Sequence, residues 1–105
     1  MKKINELKLI FDSKSINESF SRMAVSAFAA QLDMTVEELG DIKTVVSEAV
    51  TNAIVHAYPD RIGKIVMKMK IRNDRVLELS IRDWGCGIEN VVHERKRGRL
   101  FSTPT

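Results

Sequence analysis

Glu48-Ala49-Val50-Thr51-Asn52-Ala53-Ile54-Val55-His56 is the stretch on which the reading of this chain turns. It sets a carboxylate, an amide and an imidazole at i, i+4 and i+8, which stack along one side of a helix. On the same helix Ile42, Val45, Val46, Ala49, Val50 and Ala53 form an apolar stripe of the kind that faces a core. A polar row bordering such a stripe is either a solvated edge or a set of groups that meets a ligand. An amide or carboxylate buried without a partner costs about 1–3 kcal/mol. His56 by itself also suits a helix end, where the dipole favours positive charge.

Upstream, Thr35-Val36-Glu37-Glu38 has the capping-box spacing and predicts a helix from there to about Ala57, ended by Tyr58-Pro59-Asp60. A second box, Ser15-Ile16-Asn17-Glu18, opens a predicted helix from Ser15 to Gln31, with Phe20, Met23, Ala24, Ala27, Phe28 and Leu32 at helical intervals. Leu7-Lys8-Leu9-Ile10-Phe11 reads as a first strand at a sheet edge. From Gly63 the period changes to two. Ile65, Met67, Met69 and Ile71 alternate with polar neighbours, Asn73-Asp74 makes a turn, and Val76 to Ile81 returns as the partner strand. Ile88 to about Arg97 is expected to form a short helix, and the segment ending Thr103-Pro104-Thr105 shows no periodic pattern. The expected fold class is α+β, a two-layer sandwich with helices on one face of a mostly antiparallel sheet.

The chain has 105 residues, 44% hydrophobic and 30% charged, which suits one globular domain over 1–105. No apolar run approaches the roughly 20 residues of a membrane span, so no membrane partner is expected. One cysteine, Cys86, excludes an internal disulfide and fits a reducing, cytoplasmic setting. Net charge is +3, but Arg95-Lys96-Arg97-Gly98-Arg99 alone supplies four positive charges. The cluster lies in one late segment without interleaved aromatics along a face, so nucleic acid is not the expected partner. His56 and the distant His93 lack the spacing of a zinc site.

Asp83-x-Gly85-x-Gly87 follows the last hydrophobic strand directly. As a bare pattern it fits a strand-ending turn. Glycines also let a backbone approach a ligand closely, and a carboxylate at a strand end can accept a hydrogen bond from an exocyclic amine. Together, Glu48-x-x-x-Asn52-Ala53-x-x-His56 and Asp83-x-Gly85-x-Gly87 resemble the asparagine box and first glycine box of the GHKL (Bergerat-fold) ATPases, which include histidine kinases and type II topoisomerases. The order of elements across residues 4–91 is similar to the small anti-sigma-factor kinases of endospore-forming bacteria.

The resemblance implies ATP/ADP as ligand with Mg2+ held at Asn52, Glu48 as the catalytic carboxylate, and Asp83 reading the adenine amine. Ala53, His56, Gly85, Gly87, Ile88 and Thr103 join Asn52 and Asp83 as implied nucleotide-binding positions. It further implies a cytoplasmic homodimer that sequesters sporulation sigma factor F and phosphorylates a serine of an anti-anti-sigma factor. Arg22 is the candidate contact to a protein partner. A non-catalytic interaction module that holds such a partner through its helices is the alternative.

Leu100-Phe101-Ser102-Thr103 resembles the start of the family's nucleotide lid, and no second glycine box follows. The fold is therefore expected to be incomplete at its C-terminus, with an exposed hairpin edge and weak ATP binding. Trp84 and the basic stretch from His93 to Arg99 depart from the family's pattern. A Trp84 ring turned inward would crowd a nucleotide, and one turned outward would not.

Overall fold

A computed structural model describes residues 4–85, 88–94 and 99–104, with side chains over 4–85 and backbone for the two later strands. The two-residue period after Gly63 gives strands β2 (Lys64–Arg72) and β3 (Val76–Arg82), paired antiparallel with Met67 opposite Ile81 and Met69 opposite Leu79. Their connection is a two-residue turn in which Asn73 and Asp74 both have positive φ, 54° and 55°. That is the twist a tight hairpin requires, and asparagine and aspartate tolerate it better than bulkier residues. Arg75 N–H closes the turn on the Arg72 carbonyl at 3.0 Å.

Strand β1 (Ile4–Asp12) pairs antiparallel with β2 and is the sheet's edge, as its sequence predicts. Leu7, Leu9 and Phe11 stand opposite Met69, Met67 and Ile65, so one face carries an apolar patch across three strands. The helices cover that face. Helix α1 (Ser15–Ala29) is followed by a 3-10 turn at Ala30–Leu32, and α2 (Val36–Asn52) runs into a π-helical turn at Ala53–Ala57. Val25, Leu32, Ile42, Val46, Val50 and Ala53 are fully buried against Ile65, Met67, Met69 and Leu79. The two-layer α+β sandwich expected from the sequence is the architecture observed.

Five expectations change. Helix α1 lacks the Ser15 capping box: its N-cap is Lys14, without a side-chain cap, and the Glu18 carboxylate instead accepts from Ser47 Oγ on α2 and pairs with Arg22. Its buried stripe is Ser21, Val25 and Ala29, whereas Phe20 and Met23 lie outside. The shift follows from α1 docking against α2 along its Ser21 side.

Residues Ile88–Glu94 form strand β4 and not a helix, and Arg99–Pro104 forms β5. The sheet order is β1-β2-β3-β4-β5, antiparallel throughout. An unpaired β3 edge would leave a row of backbone donors and acceptors without partners. The β-branched Ile88, Val91 and Val92 suit a strand that satisfies them. The hairpin edge expected to be open is thus covered, and Leu100 to Thr103 lies in β5 and not in an irregular segment.

Candidate functional site

The Thr35–Glu38 capping box forms as its spacing predicts. Thr35 Oγ1 accepts from Glu38 N–H at 3.0 Å, and Glu38 Oε1 accepts from Thr35 N–H at 2.9 Å. From this fixed start the stripe Ile42, Val46, Val50 and Ala53 turns inward, so Glu48, Asn52 and His56 face out. All three are exposed. The row therefore carries no desolvation penalty. It is a solvated face, and the burial argument made from sequence does not apply to it. Ala53 goes the other way: its methyl is fully buried in the core cluster and is not part of the exposed row.

Below Asn52 the helix widens. Tyr58 N–H donates to Ala53 O at 3.0 Å, an i→i−5 bond, and the extra residue in this turn rotates His56 away from strict alignment with Glu48 and Asn52.

The Asp83 loop comes to the same end of the helix. Strand alternation puts Asp83 on the helix-covered face, like Leu79 and Ile81, and the residue is 7% exposed. Its Oδ1 accepts from Gly85 N–H at 2.7 Å, an Asx-type turn that orients the carboxylate. Two carboxylate oxygens can accept about four hydrogen bonds, and Gly85 N–H takes one of those places. Gly85 packs directly on the π-helical turn: a Cβ there would lie 2.7 Å from Ala57 Cβ and 2.8 Å from Ala57 Cα. Its φ lies outside the left-handed region, so the glycine is needed for space. The two motifs, 31 residues apart from Asn52 to Asp83, meet at Ala57.

Trp84 is 61% exposed, and the Arg82 guanidinium lies 5.1 Å from its ring centroid. The ring points outward and does not crowd the loop's inner side. Gly87, with Cys86, lies outside the described residues. Ile88 opens β4 opposite Arg82, and Thr103 lies in β5 opposite Asn90; both are placed by backbone alone. Arg22 is remote from this site. Its Nε is 3.1 Å from Glu18 Oε1, an ion pair without an aligned hydrogen bond, and its Nη2 donates to Ser19 Oγ at 3.4 Å.

Sequence reasoning missed Tyr58. Its ring is buried, its hydroxyl donates to Lys64 O at 2.8 Å, and it accepts from Trp84 N–H at 3.1 Å. The available signal was an aromatic with a polar tip directly after an apolar helix, since a buried tyrosine hydroxyl requires partners.

Magnesium is a hard cation that binds oxygen donors, and in nucleotide sites it is held mostly by phosphates and water with one or two protein oxygens. Among the described residues no group of three or more His, Cys, Asp and Glu side chains is arranged to hold a metal. The Asn52 amide oxygen on an exposed helix face fits a nucleotide-borne magnesium and does not fit an all-protein cage.

The profile of the histidine kinase-like ATPase domain matches residues 15–100. The chain is 50% identical over 99 residues to the anti-sigma F factor of Geobacillus thermodenitrificans, covering 94% of this chain and 66% of that protein. It is 52% identical to the anti-sigma F factor of Caldanaerobacter subterraneus, with 94% and 67% covered. With that of Thermoanaerobacter sp. it shares 50% identity over 103 residues, 98% of this chain and 70% of the relative. The chain spans about two thirds of the length of these curated relatives.

Proposed function

This chain belongs to the histidine kinase-like ATPase domain family, and we propose that it is the nucleotide-binding part of an anti-sigma factor with serine-kinase activity. The reading rests above all on one observation: the Asp83 loop packs on Ala57, at the foot of the helix that carries Glu48 and Asn52. That juxtaposition gives one nucleotide two chemically distinct ends to engage.

Asp83 accepts the adenine amine, held in aim by Gly85 N–H. Asn52 offers the amide oxygen for magnesium, with His56 beside it on the same helix end. When bound, ATP with magnesium supplies the transferable phosphoryl group and neutralises its charge. Glu48 takes the proton of the attacking serine hydroxyl, as a carboxylate within reach can. Phosphoryl transfer is mainly positioning and charge stabilisation, so a helix face and a loop rigidly docked on each other suit it.

The names of the relatives support sigma factor F as the partner that is held. The resemblance supports a serine of an anti-anti-sigma factor as phosphoryl acceptor, a homodimer as the assembly, and the cytoplasm as its place. Helix α1 supports the protein-binding half of the reading, because Ile16, Phe20 and Met23 are exposed along it at helical spacing, with half-buried Arg22 adjacent. The same stripe is what favours the second reading, a module that binds its partner without catalysis.

Titration calorimetry with ATP, with and without magnesium, tests the first reading. Asn52→Ala is expected to abolish the magnesium-dependent part of binding, and equal affinities in variant and parent would reject the assignment. Glu48→Ala separates the two readings: the kinase reading requires loss of phosphoryl transfer with partner binding retained. Absence of transfer by the unsubstituted protein itself would leave the binding module.

A further inference from the structure

Three segments that are distant in sequence meet at one tyrosine. Tyr58 follows the π-helical turn of α2, Gly63-Lys64 opens β2, and Asp83-Trp84-Gly85 ends β3. The Tyr58 ring lies flat over Gly63, where a Cβ would come within 2.1 Å of Tyr58 Cε1. Gly63 is itself tied to the β1–α1 junction, since Ser13 N–H donates to Gly63 O and Gly63 N–H donates to Ser13 Oγ, each at 2.9 Å. The ring is therefore fixed from below by backbone. From that fixed ring the hydroxyl donates to Lys64 O and accepts from Trp84 N–H.

We propose that Tyr58 is a positioning residue for the adenine-reading loop: its doubly bonded hydroxyl sets the distance between the Asp83 loop and the helix that carries Asn52. The inference rests on the reading of Asp83 as the adenine acceptor. The residue between Asp83 and Gly85 is the one whose N–H the tyrosine holds. A displacement of Trp84 therefore moves the carboxylate and the glycine that orients it together. The helix end meets the loop from the other side through the close contact of Gly85 with Ala57, so steric contact and the tyrosine's hydrogen bond act on the loop together. A purely apolar aromatic at position 58 would fill the space over Gly63 but would leave Trp84 N–H without this acceptor.

The sequence contains one tyrosine and one tryptophan, so both ends of the contact can be observed without engineering. In the 105-residue chain, Tyr58→Phe is expected to speed exchange of the Trp84 amide about tenfold while the amides of α2 and β2 keep their protection. Unchanged Trp84 exchange in a folded variant overturns the proposal. In parallel, ATP affinity should fall about tenfold, with a smaller loss for GTP. Guanine presents a carbonyl where adenine presents its amine, so a misplaced Asp83 costs ATP more than GTP. Equal losses for both nucleotides count against positioning.

If the parent chain binds no ATP, the nucleotide reading fails, and the exchange measurement still decides the clamp. Should Tyr58→Phe fail to fold, biosynthetic 3-fluorotyrosine labels Tyr58 alone and keeps ring and hydroxyl. Its fluorine resonance is expected to shift on ATP addition, and a silent resonance in an ATP-binding sample overturns the proposal.

Discussion

Gly85 rests on Ala57 so closely that a methyl group on the glycine would come 2.7 Å from the alanine Cβ and 2.8 Å from its Cα. One of those neighbours is backbone, so the clash cannot be relieved by a side-chain rotation. Gly85→Ala must lift the Asp83 loop off the helix end. Overpacking of this kind costs about 1–3 kcal/mol. We expect a lower thermal midpoint together with weakened ATP binding. Chemical denaturation and calorimetry on the same preparation would check both, and a variant with wild-type stability would show that the loop does not seat as described.

The start of α2 offers a quieter test. Thr35→Ala removes the hydroxyl that caps Glu38 N–H and leaves the box half made. Such caps contribute about 0.5–2 kcal/mol. The loss should appear in the denaturation midpoint without altering nucleotide specificity, since Thr35 is at the opposite end of the helix from Asn52.

Much of this arrangement is legible in the sequence, for physical reasons that differ by element. The hairpin from Lys64 to Arg82 is readable because a two-residue period and an Asn-Asp turn are both local signals. Helix α2 is readable because its cap and its stripe agree. Helix α1 is only half readable: its boundaries follow, but its inward face does not, because Glu18 is drawn to Ser47 and the helix rotates Phe20 and Met23 outward. Strands β4 and β5 are hidden from local pattern because each is favoured by the open edge of the strand before it, β3 for β4 and β4 for β5, a tertiary demand. At the site, residue types suggested a chemistry, yet the seat of the loop depends on Ala57, Gly63 and Tyr58, whose letters carry no motif.

Ser47 and Glu18 couple the two helices. The Ser47 hydroxyl donates to the Glu18 carboxylate, which also faces Arg22 at 3.1 Å. Ser47→Ala leaves that partly buried carboxylate with one donor fewer. A stability loss of about 1 kcal/mol is expected. Because Arg22 is then the carboxylate's remaining partner in this cluster, the double variant with Arg22→Ala should lose more than the two single losses added together. A double-mutant cycle by urea denaturation measures that excess, and strict additivity would show the two contacts to be independent.

Acid stability is set in part at the foot of β1. Lys64 Nζ lies 2.6 Å from Asp12 Oδ1, and the hydrogen bond, then the charge, of that ammonium hold the Asp12 carboxyl below its ordinary value. A folded-state pKa below the unfolded one means stabilisation that is fully present above the unfolded value, about 3.9, and lost as pH falls through the folded value. Asp12→Asn removes the titration. The variant should be less stable than the parent at neutral pH, and the gap should close below about pH 3.9. Both side chains are substantially exposed, with 38% of Asp12 and 65% of Lys64 accessible, so the gap should also shrink in 1 M salt, where the screening length is about 3 Å. Urea midpoints for parent and variant across pH 2–7, at low and high salt, measure it. A gap that persists unchanged into acid would mean that the asparagine perturbs packing, and that the ion pair is not the source of the difference.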